Sequence, residues 1–96
     1  MVRYLVLLNF TENGLGNISK SPDRAAKFKG EAEAVGVIVE CLLWTLGPHD
    51  GALVIQAPDD ETAVAQILNL GSRLNVTTTM MRAFDAGEFS AVVSKL

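Results

Sequence analysis

The sequence predicts an α+β fold in which a four-stranded antiparallel sheet carries two long helices on one side and a short third helix follows at the C-terminus. Three observations predict it. Strand-length apolar runs alternate with stretches whose apolar residues recur every three or four positions, in the order β-α-β-β-α-β-α. Clusters of Gly, Pro, Asn and Asp bound those runs, and the connection between the second and third strands is short enough for a hairpin. At 96 residues, with 49% hydrophobic and 20% charged content, the chain has the size and composition of one hydrophobic core, so residues 1–96 are expected to form a single domain.

The first strand is Arg3 to Phe10, closed by the turn formers Thr11, Glu12, Asn13 and Gly14. Its alternating faces are both apolar, Tyr4, Val6, Leu8 and Phe10 against Leu5 and Leu7, so cover is expected on both sides. Asn13 to Ser19 reads as a loop; its two glycines lack the third Gly and the Gly-Lys-Ser/Thr of a phosphate-binding motif. Ser21-Pro22-Asp23 then marks a helix start, with a hydroxyl to cap, a proline at the first helical position and an acid in the first turn. Ala25, Phe28, Ala32 and Val35 form its apolar stripe, and Gly36 suits a left-handed stop. Gly30 within the helix suggests close packing, or simple tolerance of a residue about 1 kcal/mol worse than Ala.

Val37 to Leu46 is the second strand and Gly51 to Ala57 the third, joined through Gly47-Pro48-His49-Asp50. Pro58-Asp59-Asp60-Glu61 opens the second long helix, whose face is Ala63, Val64, Ile67, Leu68, Gly71 and Leu74. Asn75 to Phe84 is the Thr-rich fourth strand. Asp85 and Glu88 have capping-box spacing ahead of Phe89, Val92, Val93 and Leu96. A helix of about ten residues does not hold by itself, so this one is expected to dock.

Right-handed crossovers around two βαβ-like units arrange these strands as a ferredoxin-like βαββαβ sheet of order 4-1-3-2 with a C-terminal helix appended. Both long helices lie on one face, so the other is bare. On the second strand Ile38, Leu42, Trp44 and Leu46 alternate with Val37, Val39, Cys41 and Leu43, which makes the bare face apolar whichever set points there. An apolar face of that extent calls for a partner, and homo-oligomerisation, as a dimer or higher, is the expected cover.

Charge and composition exclude several roles. Net charge is -3, and the eight basic residues are scattered, with Lys27 and Lys29 interleaved with Glu31 and Glu33, so no nucleic-acid footprint forms. No apolar run reaches the length of a membrane span and the start lacks a secretory signal pattern, so no membrane association and a cytoplasmic location are expected. One Cys and one His allow neither an intrachain disulfide nor a zinc site within a single chain, so no metal site is expected; no cofactor is expected either, with haem bound through His49 as a further alternative, and the sequons at Asn17 and Asn75 count as chance matches.

The blocks Trp44 to Gly51 (WTLGPHDG), Ala57 to Glu61 (APDDE), Tyr4 to Thr11 (YLVLLNFT) and Arg82 to Asp85 (RAFD) occur in an order that resembles the GYD domain family of small bacterial proteins, over essentially the whole chain. The resemblance implies a dimeric α+β barrel, in which ferredoxin-like subunits pack sheet on sheet. It implies no specific activity. The Tyr of the naming motif is replaced by His49, with Pro48 between Gly47 and His49.

Sheet order gathers a polar set at one end. His49 and Asp50 should neighbour Asn9, Thr11 and Glu12, with Thr77 and Thr79 near, and an imidazole beside carboxylates is a general-base arrangement. Asp50 equally suits hydrogen bonds to turn amides, with His49 in solvent at the loop tip. Glu40, Trp44, Met80 and Arg82 are expected on the sheet face around a cavity shared with the partner, Glu40 and Arg82 pairing across it to fix a carboxylate or phenolic ligand. Ordinary interface contacts account for the same residues. Three readings therefore stand: a self-associating assembly or interaction protein; a small-molecule binding module with its cavity at the sheet, for which Asn9, Trp44, Met80 and Arg82 are the ligand candidates; and, by fold analogy, a cofactor-independent monooxygenase or isomerase with His49, Asp50 or Glu40 in its acid-base chemistry.

Overall fold

The computed structural model describes residues 1–96. Its elements are β1 (Val2–Phe10), α1 (Glu12–Gly16), a 3-10 turn (Ile18–Lys20), α2 (Ser21–Ala34), β2 (Ile38–Trp44), β3 (Gly51–Ala57), α3 (Asp60–Ser72), β4 (Val76–Ala83) and α4 (Ala86–Val93). All strand neighbours are antiparallel, in the order β2-β3-β1-β4, which is the expected 4-1-3-2 read from the other edge. No helix is long and apolar enough to cross a membrane.

The core lies between the sheet and helices α2 and α3. Val6 of β1 pairs with Leu53 of β3 and Met80 of β4. Val6, Leu53, Ile55 and Ala57 meet Phe28 and Ala32 of α2 and Ala63 and Ile67 of α3, all buried. Period-two burial along β3, with Gly51, Leu53, Ile55 and Ala57 inward, is what a sheet covered on one side imposes. Only 12 of 96 residues are buried, so this half of the fold leaves little stability in reserve.

Local chemistry accounts for most boundaries. At the end of α2, Val37 N–H donates to the Ala32 carbonyl at 2.9 Å and Gly36 N–H to that of Glu33 at 3.1 Å, with Gly36 at φ 82°; this is the six-to-one and five-to-two pair of a Schellman stop. Asp59 caps α3 by accepting from Thr62 N–H at 2.7 Å, a bond that holds its carboxyl below the ordinary carboxylate value. Asp85 and Glu88 form a complete capping box at α4.

Several expectations are corrected. The segment read as a loop holds α1, capped by Thr11, whose Oγ1 accepts from Gly14 N–H at 3.1 Å. Gly14 is buried against the Asn75 carbonyl, where a side chain would overlap backbone. Ser21 does not cap α2; its Oγ accepts from Trp44 Nε1 at 3.0 Å, and α2 starts from the preceding 3-10 turn without a side-chain cap. Gly30 meets nothing beyond its own helix within 4 Å, so tolerance explains it. On α3 the inward line is Ala63, Ile67 and Leu70, while Val64 and Leu68 face outward. Leu74 lies past the helix end in the left-handed region, at φ 65°.

A bulge between Val39 and Cys41 resets the alternation on β2. Val39, Leu42 and Trp44 face the helices, opposite Ile55, Leu53 and Gly51, whereas Ile38, Cys41 and Leu43 share the helix-free face with Gln56, Val54 and Ala52. α4 does not cover that face. None of its residues is buried, and Phe89, Val92 and Val93 remain exposed.

Candidate functional site

Two candidate sites, the hairpin end of the sheet and the helix-free face, both grow from the register of β1.

At the hairpin end, β1 finishes on Asn9 and Phe10 while the chain turns back through residues 45–50. Asp50 joins the two: its backbone N–H donates to the Leu8 carbonyl at 2.8 Å, and its Oδ2 accepts from Phe10 N–H at 2.8 Å. The carboxylate thereby satisfies a strand amide after the backbone ladder has ended. Thr45 supports the turn from inside, its N–H donating to the Asp50 carbonyl and its hydroxyl to that of His49.

His49 is oriented by Asn9. The Asn9 Nδ2 donates to the Pro48 carbonyl at 2.9 Å, an oxygen that can only accept, so the amide oxygen must be the atom facing the imidazole. That oxygen lies 2.9 Å from His49 Nδ1, so Nδ1 is the donor in this contact and the ring is held in one orientation. The expected neighbourhood of His49, Asp50 and Asn9 forms, and Thr77 Oγ1 lies 3.5 Å from the Asn9 carbonyl. Asp50 does not contact the imidazole as a catalytic partner would; its bonds go to β1. A shallow hollow of about 220 Å³ opens beside His49 on the helix-free side, walled by Leu7, Leu46, Pro48 and Ala52.

On the helix-free face, Glu40 is paired, though not with the residue expected. Arg3 Nε donates to Glu40 Oε1 at 3.0 Å, Gln56 Nε2 donates to the same oxygen, and Arg3 Nη1 reaches Glu88 of α4. The hydrogen bond with Glu40, with the nearby acids adding to it, raises the guanidinium above its ordinary value. Arg3 was not among the sequence candidates, although its alternation with Leu5 and Leu7 places it on their face.

Met80, Arg82 and Trp44 lie on the other side of the sheet, with the helices. Met80 pairs with Val6 and packs on the core. Arg82 sits over the rings of Phe84, 4.6 Å from centroid, and Tyr4, 5.9 Å, and donates to the Arg3 and Ala83 carbonyls. Trp44 turns to Ser21. The expected Glu40–Arg82 pair across one cavity is thus ruled out by the pleat: β4 pairs Arg82 with Tyr4, on the helix side, while the β2 bulge leaves Glu40 bonded to Arg3 and Gln56 on the opposite one. No group of three or more His, Cys, Asp or Glu side chains converges as a metal centre requires.

What remains on the helix-free face is an apolar surface: Leu5 and Leu7 of β1, Ile38, Cys41 and Leu43 of β2, Val54 of β3 and Met81 of β4. Ile38 is 50% and Leu43 55% exposed, with the polar Arg3–Glu40–Gln56 group at one end and His49 toward the other.

Comparison with known proteins matches this chain to the family model described as GYD domain, over residues 4–93. The glutamine synthetase and cystathionine beta-lyase binding protein of Thermus thermophilus is 32% identical over 92 residues, which are 95% of this chain and 97% of that protein. Among solved structures, the crystal structure of MtbAldR aligns with a TM-score of 0.63 at 18% identity, covering 88% of this chain. The present chain spans only 53% of that one, and at this identity the likeness shows the fold alone.

Proposed function

This chain belongs to the GYD domain family, and from that membership we propose that it acts as an assembly module, pairing with a second copy through the helix-free sheet face and engaging other proteins as the pair. The observation that carries the reading is the apolar helix-free face, on which Ile38, Leu43 and Met81 are exposed and Leu5, Leu7 and Val54 half-buried, and into which the chain's own α4 buries none of its residues. Full burial of each such side chain contributes about 1.5–3 kcal/mol, large beside the few kilocalories by which a domain with so small a core is stable. A second copy presents the same surface, so sheet-on-sheet packing, the assembly of the dimeric α+β barrel class, matches apolar area to apolar area. The engagement of other proteins is supported by the Thermus relative, which is named for binding two enzymes.

Sedimentation equilibrium tests the pairing. The wild-type chain should run at twice its mass or more at micromolar concentration, and Val54→Glu, which sets a carboxylate on the central strand β3 of the proposed interface while leaving the buried core untouched, should run as a monomer with retained helix and strand content. A wild-type chain that stays monomeric at high concentration overturns the reading.

A second reading draws support from the hollow beside His49. His49 lines that hollow with its Nδ1 held by Asn9, so a small molecule enclosed there by pairing would meet one oriented imidazole. Loss of binding or turnover in His49→Ala, without change in oligomeric state, distinguishes this role from assembly alone.

A further inference from the structure

A different concavity lies on the helix side of the sheet, away from the pairing surface. It encloses about 70 Å³ between the first turns of α2, the end of α3 and the hairpin end of the strands. Leu8, Phe28, Leu42, Leu53, Leu70 and Trp44 give it apolar walls. Its polar border is uneven. Arg73 is committed to Glu31, and Asp50 to the Phe10 amide. Arg24 is not fully committed: Nη1 donates to the Asn17 carbonyl at 2.9 Å, while Nη2 is shut off from solvent and meets no acceptor.

An unpaired donor on a permanently charged guanidinium, removed from water, is costly enough to need an explanation. The fork geometry of that group is suited to a carboxylate, and the first turn of α2 adds the positive end of a helix dipole at the same border. From the cavity, its walls and the orphaned Nη2, we propose that this site binds a small aliphatic monocarboxylate, its chain among the leucines and its carboxylate on Arg24, reached by a shift of that flexible side chain. The volume suits an acyl chain of about three or four carbons, since a cavity of roughly 150 Å³ accommodates benzene. A cation would meet the unpaired guanidinium donor of Arg24, and a neutral alcohol of the same skeleton leaves that charge unmatched.

Trp44 is the sole tryptophan and borders the cavity, so its fluorescence reports occupancy directly. Titration with butanoate should give a saturable change in emission that butan-1-ol and butylamine do not reproduce. Arg24→Gln should weaken butanoate binding by about tenfold or more, the scale of one charge-assisted hydrogen bond. Ala25→Leu keeps the arginine and fills the cavity from α2, and it should abolish the response while the circular dichroism spectrum is retained. No saturable response to butanoate, an equal response to the alcohol, or undiminished binding in folded Arg24→Gln overturns the proposal. Because Val54 lies on the pairing face and outside the cavity lining, Val54→Glu should run as a monomer yet bind butanoate like the wild type, so failure here and failure of the assembly reading are separable.

Discussion

Arg3 and Glu40 are joined across an intervening strand: the guanidinium on β1 spans β3 to reach the carboxylate on β2, with Nε to Oε1 at 3.0 Å. The same guanidinium turns its Nη1 to Glu88 and lies 3.6 Å from Asp85, so one side chain ties the start of α4 to the sheet. α4 has eight residues and none of them is buried, too few to persist on helix propensity alone.

Arg3→Met should therefore release α4 selectively. In hydrogen–deuterium exchange, the amides of Phe89 to Val93 should lose protection while those of β1 and β3 keep theirs, with little change in melting temperature, because partly exposed ion pairs contribute little to global stability. Unchanged exchange in α4 would show that something other than Arg3 holds it.

Tyr4 donates its hydroxyl to Asp60 Oδ1 at 2.8 Å, which together with its surroundings raises the phenol above its usual value of 10.0. A group whose folded value is raised favours the folded state below its unfolded value, and that contribution fades as pH climbs through the folded one. Stability from this contact is thus complete at neutral pH and declines only above about pH 10. With one tyrosine in the chain, absorbance near 295 nm follows Tyr4 alone. Its midpoint should lie above 10 and drop toward 10 in Asp60→Asn; equal midpoints would mean that Asp60 does not hold the phenol.

Three backbone positions should respond in opposite senses to single substitutions. Gly30 has open space around it in the middle of α2, so Gly30→Ala should stabilise by about 0.5–1 kcal/mol. Leu74 is 69% exposed and left-handed, so Leu74→Gly should also stabilise, by up to about 1 kcal/mol, through relief of backbone strain with little packing lost. Gly14→Ala should destabilise by about 2 kcal/mol or more, since its Cβ would overlap the Asn75 carbonyl and displace Thr11 N–H from the same oxygen. Chemical denaturation midpoints read all three; a neutral Gly14→Ala would show that α1 can move away from β4 freely.

The sequence carried the hairpin cluster a long way. Once the strand order was fixed by four apolar runs and two crossovers, Asn9, His49 and Asp50 had to meet at one end, and they do. It could not say that Asp50 would take the Phe10 amide, because that choice depends on where the ladder stops. Trp44, Met80 and Arg82 show the other limit. Assigning a face needs the registration of each strand on its neighbour: the register of β4 on β1 sets Met80 and Arg82 beside Val6 and Tyr4, and a one-residue bulge at Glu40 inverts the assignments beyond it on β2, Trp44 among them.

Periodicity and turn chemistry, being local, determined the order of the strands and of the three longer helices, and with the handedness of crossovers the sheet order and the apolar character of both faces, from the chain alone. Tertiary structure decided what depends on distance between residues far apart in sequence: that Ser21 serves Trp44 and leaves α2 uncapped, that Arg3 takes Glu40 from Arg82, and that Arg24 keeps one unmatched nitrogen beside an apolar cavity. Hydrophobic burial is tolerant of such detail, since any apolar residue facing inward contributes, whereas a hydrogen bond depends on a few tenths of an ångström that no linear pattern encodes.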